Sequence, residues 1–210
     1  MLVATQITQL KNNLPSHVTL VAVSKTKPIT LLQEAYNVGQ RVFGENYIQE
    51  IVAKQPLMPT DVMWHFIGHL QTNKVKYIAP FIHTIQSVDS EKLLAEINKQ
   101  AQKCNRVITV FLQMHIAQEE TKFGLSYAEA SNLLAKANHY PHVHITGLMA
   151  MGSNTTNQTQ LRNEFAQLHS FYTQYTNLQQ LCIGMSADYV LAIECGSTMV
   201  RLGSSIFGSR

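Results

Sequence analysis

Apolar residues along this chain gather in short runs. After each run comes a longer stretch in which they recur every third or fourth position. Val18–Val23 is the first run, and further runs fall at Arg41–Phe43, Val62–Ile67, Phe81–Ile85, Val107–Met114, Val143–Ala150, Leu178–Ile183 and Met199–Leu202. Continuous apolar runs rich in β-formers predict strands buried on both faces. Between them the helical period predicts helices over 28–38 (closed by Gly39), to Lys54 (broken by Pro56 and Pro59) and to Ala79 (stopped by Pro80). Further helices are predicted over Glu91–Lys103, Ser126–Asn138, Thr159–Tyr175 and up to Glu194, with an additional one over 2–13 ahead of the first strand. Eight strand-then-helix units predict an α/β fold, a single (β/α)8 TIM-type barrel with an extra N-terminal helix. An open doubly wound sheet is the alternative, and it seldom needs eight such even repeats.

Composition narrows the class. With 210 residues, 45% apolar and 14% charged, the chain has enough apolar content for one core, so residues 1–210 are expected to form a single domain. A net charge of +3 without a dense Lys/Arg block gives no electrostatic footprint for nucleic acid. Met1–Leu10 lacks the cationic start and apolar run of a signal peptide, and no apolar stretch reaches membrane-spanning length. Cys104, Cys182 and Cys195 are odd in number, widely spaced and free of any CxxC pair. They fit reduced thiols, which places the protein in the cytoplasm and points to neither disulfides nor a metal site.

In such a barrel the functional mouth lies at the C-terminal ends of the strands. The unusual polar residues fall there: Lys25 after strand one, Glu45 and Asn46 after strand two, and His65, Gly68 and His69 around the end of strand three. Ser87 and Asp89 follow strand four, Gln113 and His115 strand five, and Met149–Gly152 strand six. Ser186 follows strand seven, and Arg201 to Ser204 close strand eight. Taken singly these have plainer explanations: Asn46 and Asp89 as helix caps, His65 as a satisfied core histidine, Gly152 as a turn.

The last two strand ends carry the most legible chemistry. Many barrels bind phosphate on the loops after strands seven and eight, beside a short extra helix. Here those loops read Gly184-Met-Ser186 and Arg201-Leu-Gly-Ser-Ser-Ile-Phe-Gly208. Gly203 would let backbone N–H groups approach an anion, Ser204 and Ser205 open a helical turn, Ser186 adds a hydroxyl, and Arg201 adds fixed charge. A phosphate site facing the strand-end Lys25 suggests a phosphorylated carbonyl compound, since a desolvated lysine amine forms Schiff bases. A sugar-phosphate aldehyde and pyridoxal 5′-phosphate (PLP) both fit that description.

Several blocks resemble the YggS/PROSC family of PLP homeostasis proteins over nearly the whole chain. They are Val21-Ala-Val-Ser-Lys-Thr-Lys-Pro28, Phe43-Gly-Glu-Asn-Tyr-Ile-Gln-Glu50 and the signature segment Trp64-His-Phe-Ile-Gly-His-Leu-Gln-Thr-Asn-Lys-Val75. Lys122-Phe-Gly124, Gly147-Leu-Met149, Gly184-Met-Ser-Ala-Asp188, Ala192-Ile-Glu-Cys-Gly-Ser197 and Val200-Arg-Leu-Gly-Ser-Ser-Ile-Phe-Gly208 continue the match. The resemblance implies that Lys25 is the internal-aldimine lysine and that Asn46 lines the pocket beside the ring. It also implies that Ser186 and the backbone of Gly203 and Ser204 hold the phosphate, and that Arg201 faces the pyridine nitrogen, as in alanine-racemase-type barrels. An arginine there disfavours protonation of the nitrogen and weakens the cofactor as an electron sink. Two positions depart from the family pattern: His115 stands where an Asn is usual, and Val190 where an acidic residue is common.

The resemblance implies a carrier that buffers or delivers PLP inside the cell, with PLP-requiring apo-enzymes as recipients, a monomeric state and no strong turnover. A PLP-dependent racemase or decarboxylase is the rival, and a Schiff-base aldolase a third reading. Enzymes of the racemase type add a second β-rich domain, for which the eight units are expected to leave no room. They also need an acid–base pair near the substrate, and among His65, His69, Tyr47 and His115 no spacing selects one.

Overall fold

The computed structural model describes residues 2–119 and 123–208. Helix α1 (Val3–Asn13) precedes strand β1 (Thr19–Val23), and strands and helices then alternate to the end of the described chain. The order is α2 (Ile29–Asn37), β2 (Val42–Glu45), α3 (Ile48–Lys54), β3 (Met63–Phe66), α4 (Val75–Ile78), β4 (Thr84–Val88) and α5 (Glu91–Lys103). It continues with β5 (Ile108–Met114), α6 (Tyr127–Ala135), β6 (Val143–Ala150), α7 (Gln158–Tyr172), β7 (Gln180–Met185), α8 (Tyr189–Glu194), β8 (Met199–Leu202) and α9 (Ser204–Phe207). All strands pair in parallel with their sequence neighbours, and β8 pairs with β1 to close the barrel. The predicted (β/α)8 barrel and its extra N-terminal helix are both present.

Several boundaries differ from the sequence expectation. Strand β4 starts at Thr84 and not at Phe81, because Phe81 and Ile82 complete the end of α4, where the Ile82 N–H donates to the Ile78 carbonyl. Strands β2 and β7 run past Gly44 and Gly184, which had marked their ends in the sequence. Glu45 is therefore a strand residue, fully buried between the barrel and α3, where its carboxylate meets Lys54.

The apolar core lies mostly between barrel and helices, with Phe43, Phe66, Ile85, Leu94 and Phe165 among its fully buried members. A smaller apolar group, Val21, Val42, Phe111, Met149, Cys182 and Met199, fills part of the barrel interior. The rest of that interior is polar. His65, Gln86, Gln113 and Arg201 are all buried, and buried polar side chains are stable only when hydrogen-bonded. Their bonds, described below, build the site.

Candidate functional site

Lys25 stands two residues beyond β1, half-buried, and the backbone on both sides of it is held. The Ser24 N–H donates to the Gly44 carbonyl, and the Ser24 hydroxyl donates to Glu45 Oε1 at 2.7 Å. Thr26 has a φ of +62°, a region costly for a β-branched residue unless its surroundings impose it. Its N–H donates to Glu50 Oε2 at 2.7 Å. Lys54, on the last turn of α3, joins these contacts: Nζ donates to the Ser24 carbonyl at 2.9 Å, to Glu45 Oε1 at 2.8 Å and to Glu50 Oε2 at 2.7 Å. Burial raises the pKa of Glu45 against the opposing pull of its Lys54 and Ser24 bonds. Burial also raises that of Glu50, but its bonds to Lys54 and Thr26 outweigh this and leave it lowered. Lys25 is thus delivered by a strand end pinned on both sides by one buried ionic cluster.

Asn46 follows β2, and the position of its backbone depends on Gly68 across the β2–β3 pair. A Cβ at Gly68 would lie 2.2 Å from the Asn46 carbonyl oxygen, so only glycine permits this approach. The Asn46 Oδ1 is buried without a hydrogen-bond partner, an arrangement that a ligand donor would satisfy.

Ser186 follows β7, and its hydroxyl oxygen accepts the Gly203 N–H at 3.3 Å and the Ser205 N–H at 3.4 Å. Two backbone donors at the head of the single-turn α9 therefore converge beside one serine hydroxyl. Gly203 has an ordinary φ of −117°, and an added Cβ would make only ordinary contact with Val23. Neither strain nor packing demands glycine here, whereas close approach of an anion to the backbone would. Ser205, in place of Ser204, supplies the second converging N–H; Ser204 is exposed at the rim.

Arg201 is 5% exposed inside the barrel. Its Nη1 donates to the Cys182 carbonyl at 2.9 Å, and its Nη2 to the Ala150 carbonyl at 2.8 Å. Lys25, Asn46, Ser186, Arg201, Gly203 and Ser204 line one cavity of about 330 Å³, completed by Val23, Ile67, Met151, Met185 and Ala187. That volume falls in the small-molecule range. Among the described residues that line it the cavity is cationic: Lys25 and Arg201 are the charged side chains, and neither carboxylate nor imidazole is among them. The apolar walls escaped sequence reading, although Met151 lies within the Met149–Gly152 segment expected at the mouth.

Other residues expected at the mouth lie elsewhere. His65 is a core residue of β3 and lines a second cavity, of about 340 Å³, at the opposite end of the barrel with Thr19, Thr84, Thr109 and His144. Burial, with His83 stacked on it, lowers its pKa to about 3, so it is neutral at physiological pH. His69 bonds Asp89 through Nδ1 at 3.2 Å, stacks on Phe123, and faces a neighbouring pocket that meets the lysine cavity only at Asn46. Gln113 Nε2 donates to the Phe123 carbonyl, and His115 Nε2 pairs with the Glu119 carbonyl; both tie down the loop after β5. Ser87 is buried, its Oγ without a partner. Lys122, part of one family block, lies outside the described residues, as do Ser209 and Arg210. Val190 is exposed on α8.

A closed parallel barrel with a lysine at one mouth, facing backbone N–H groups that converge beside a serine hydroxyl, defines a class. The family model for the alanine racemase N-terminal domain matches residues 3–210, and the chain belongs to that family. Its similarity to particular members is closer still. It is 41% identical to the pyridoxal phosphate homeostasis protein of Schizosaccharomyces pombe, with 100% of this chain and 90% of the relative covered. It is 38% identical to the protein of that name from Escherichia coli K12, covering 93% and 87%. Among solved structures, PipY of Synechococcus elongatus PCC7942 with PLP bound superposes with a TM-score of 0.90 at 33% identity, covering 98% of this chain and 100% of that one. Alanine racemase from E. faecalis shares the fold at a TM-score of 0.84 and 13% identity, covering 99% of this chain and 58% of that one.

Proposed function

We infer that this protein binds PLP at the Lys25 mouth and serves PLP homeostasis. One observation carries the reading: six residues drawn from the ends of β1, β2, β7 and β8 enclose a single cationic cavity, with a lysine on one side and a serine-backbone anion cradle on the other. The residues fit the cofactor by charge and by hydrogen bonding. When bound, PLP supplies an aldehyde that a lysine amine joins reversibly and a ring that can take up electrons. Lys25 is the covalent anchor. Ser186 and the N–H groups of Gly203 and Ser205 receive the phosphate, with Ser204 at the rim. Asn46 offers its unpartnered amide oxygen beside the ring. Three hydrogen bonds engage at most three of the five guanidinium N–H groups of Arg201, leaving at least two for the pyridine nitrogen.

The same cavity argues for carriage over turnover. Racemisation or decarboxylation needs an acid–base partner set across from the lysine, and among the described residues the cavity walls supply only Lys25 and Arg201 as charged groups. The protein therefore holds and releases PLP as a cytoplasmic, monomeric, single-domain carrier for PLP-requiring apo-enzymes. Among the described residues no helix is long and apolar enough to cross a membrane, and no cluster of three or more His, Cys, Asp or Glu side chains could hold a metal.

The test is a PLP titration followed by borohydride reduction and peptide mapping, with Lys25→Ala in parallel. Saturable uptake is expected, with the reduced adduct on Lys25 and absent from the variant. An adduct on other lysines, or no uptake, sinks the assignment. Incubating the loaded protein with L- and D-amino acids then separates the two roles, since sustained racemisation or decarboxylation would overturn the carrier reading.

A further inference from the structure

Behind Arg201 the barrel interior contains a column of polar groups that cofactor binding does not itself use. Arg201 Nη1 donates to Cys182 Sγ at 3.2 Å as well as to the Cys182 carbonyl. The Cys182 thiol donates to Gln86 Oε1 at 3.2 Å. Gln86 Nε2 in turn meets His65 Nδ1 at 2.7 Å and Met199 Sδ at 3.3 Å. Arg201, Cys182, Gln86 and His65 are all buried, and they come from β8, β7, β4 and β3.

Every bond in this column has a defined direction. With the Gln86 amide nitrogen on His65 Nδ1 and its oxygen on the Cys182 thiol, Gln86 is the donor to a neutral His65 that accepts at Nδ1 and carries its proton on Nε2. Burial raises the Cys182 pKa, against the opposing effect of Arg201, so the sulfur keeps its proton for Gln86 and offers a lone pair to Arg201. The column thus runs donor to acceptor from the cofactor mouth towards the far end of the barrel, and its first member fixes one edge of the guanidinium. The Ala150 carbonyl fixes the other nitrogen. A planar guanidinium held at both ends has one orientation left in which to present its remaining N–H groups.

We propose that Cys182 and Gln86 are positioning residues, which set the plane of the Arg201 guanidinium against the cofactor ring. The proposal rests on the PLP-binding reading above. It predicts graded loss, because sulfur is a weak acceptor and the two carbonyl bonds to Arg201 survive each substitution.

Cys182→Val and Gln86→Leu, which keep the interior filled, test it alongside Cys182→Ser. Each of the first two should weaken PLP about threefold to tenfold, the effect of one lost hydrogen bond. Each should also shift the absorption spectrum of the bound cofactor and its pH titration. Cys182→Ser, which retains donor and acceptor, should recover most of the wild-type spectrum. Val110→Ala, a core truncation outside the column, controls for general destabilisation and should leave the spectrum unchanged. Without PLP, side-chain ¹⁵N NMR should show faster guanidinium exchange at Arg201 in Cys182→Val than in wild type. Wild-type affinity and spectrum in both column variants, or an equal shift in Val110→Ala, would overturn the proposal while leaving PLP binding intact. Failure of the wild type to take up PLP sinks the cofactor reading and this proposal together.

Discussion

The Lys54 ammonium lies 2.9 Å from the carbonyl oxygen of Ser24, the residue immediately before Lys25. Through the same nitrogen it reaches Glu45 and Glu50, and Glu50 accepts the N–H of Thr26, the residue immediately after. The backbone of Lys25 is therefore fixed on both sides by one cation and two carboxylates. Removing the cation leaves Glu45 buried and unpaired. Lys54→Met should cost about 3 kcal/mol of stability in urea unfolding, and Lys25 should react more slowly with PLP. A loss under about 1 kcal/mol, in the range of a surface pair, would mean that the cluster does not hold the strand end.

Ser186→Ala removes the hydroxyl on which the Gly203 and Ser205 N–H groups converge. PLP should bind about tenfold more weakly, the worth of one charge-assisted hydrogen bond. Pyridoxal, which has no phosphate, should bind wild type and variant alike. Comparing the two ligands by fluorescence titration isolates the phosphate contact, and equal loss for both would place Ser186 elsewhere in the site.

Gly68→Ala should be among the most damaging small substitutions at the mouth, because the added Cβ would meet the Asn46 backbone at 2.2 to 2.9 Å. A backbone shift of this kind costs about 1–3 kcal/mol. It also displaces Asn46, so PLP affinity should fall together with stability. Thermal unfolding with and without PLP reads both effects.

Stability should fall on mild acidification, and His65 is one cause. Its folded pKa is about 3, against an ordinary value of 6.5. Between those values the unfolded chain binds a proton that the folded protein refuses, so the contribution is complete above 6.5 and is lost as the pH falls towards 3. The slope from this residue approaches about 1.4 kcal/mol per pH unit within the window. His83, also lowered, mainly by burial, acts in the same direction. His65→Gln removes the first proton and should flatten the pH dependence of urea unfolding between roughly pH 5 and 6. An unchanged slope would assign the acid sensitivity to other groups.

The strand-helix rhythm and the closure it implies were legible because each buried strand announces itself as an apolar run. Strand order placed the six proposed ligand-binding residues at one mouth among other polar residues, and the family resemblance singled them out. Gly44 and Gly184 misled as punctuation: inside a barrel a glycine can sit within a strand. His65 misled because alternation along a strand decides whether a side chain faces the interior or the helices, but not how deep it lies. Lys54, Gln86 and Cys182 carried little local signal. Apart from Glu50, one helical turn before Lys54, their partners lie 9 to 113 positions away along the chain, and only the folded barrel brings them together.

Val21 pairs with Arg201 and Ala22 with Leu202 where the first and last strands meet. Lys25 extends from one side of that seam, and Gly203 with its neighbours from the other. A ligand held at once by Lys25 and by the Ser186–Gly203 cradle therefore laces together the two ends of the chain. Its binding energy would resist the opening of the ring at the junction that costs the most chain entropy to form. Cofactor loading should accordingly protect amides of β1 and β8 from hydrogen exchange more than those of β4 and β5, making the seam itself a gauge of occupancy.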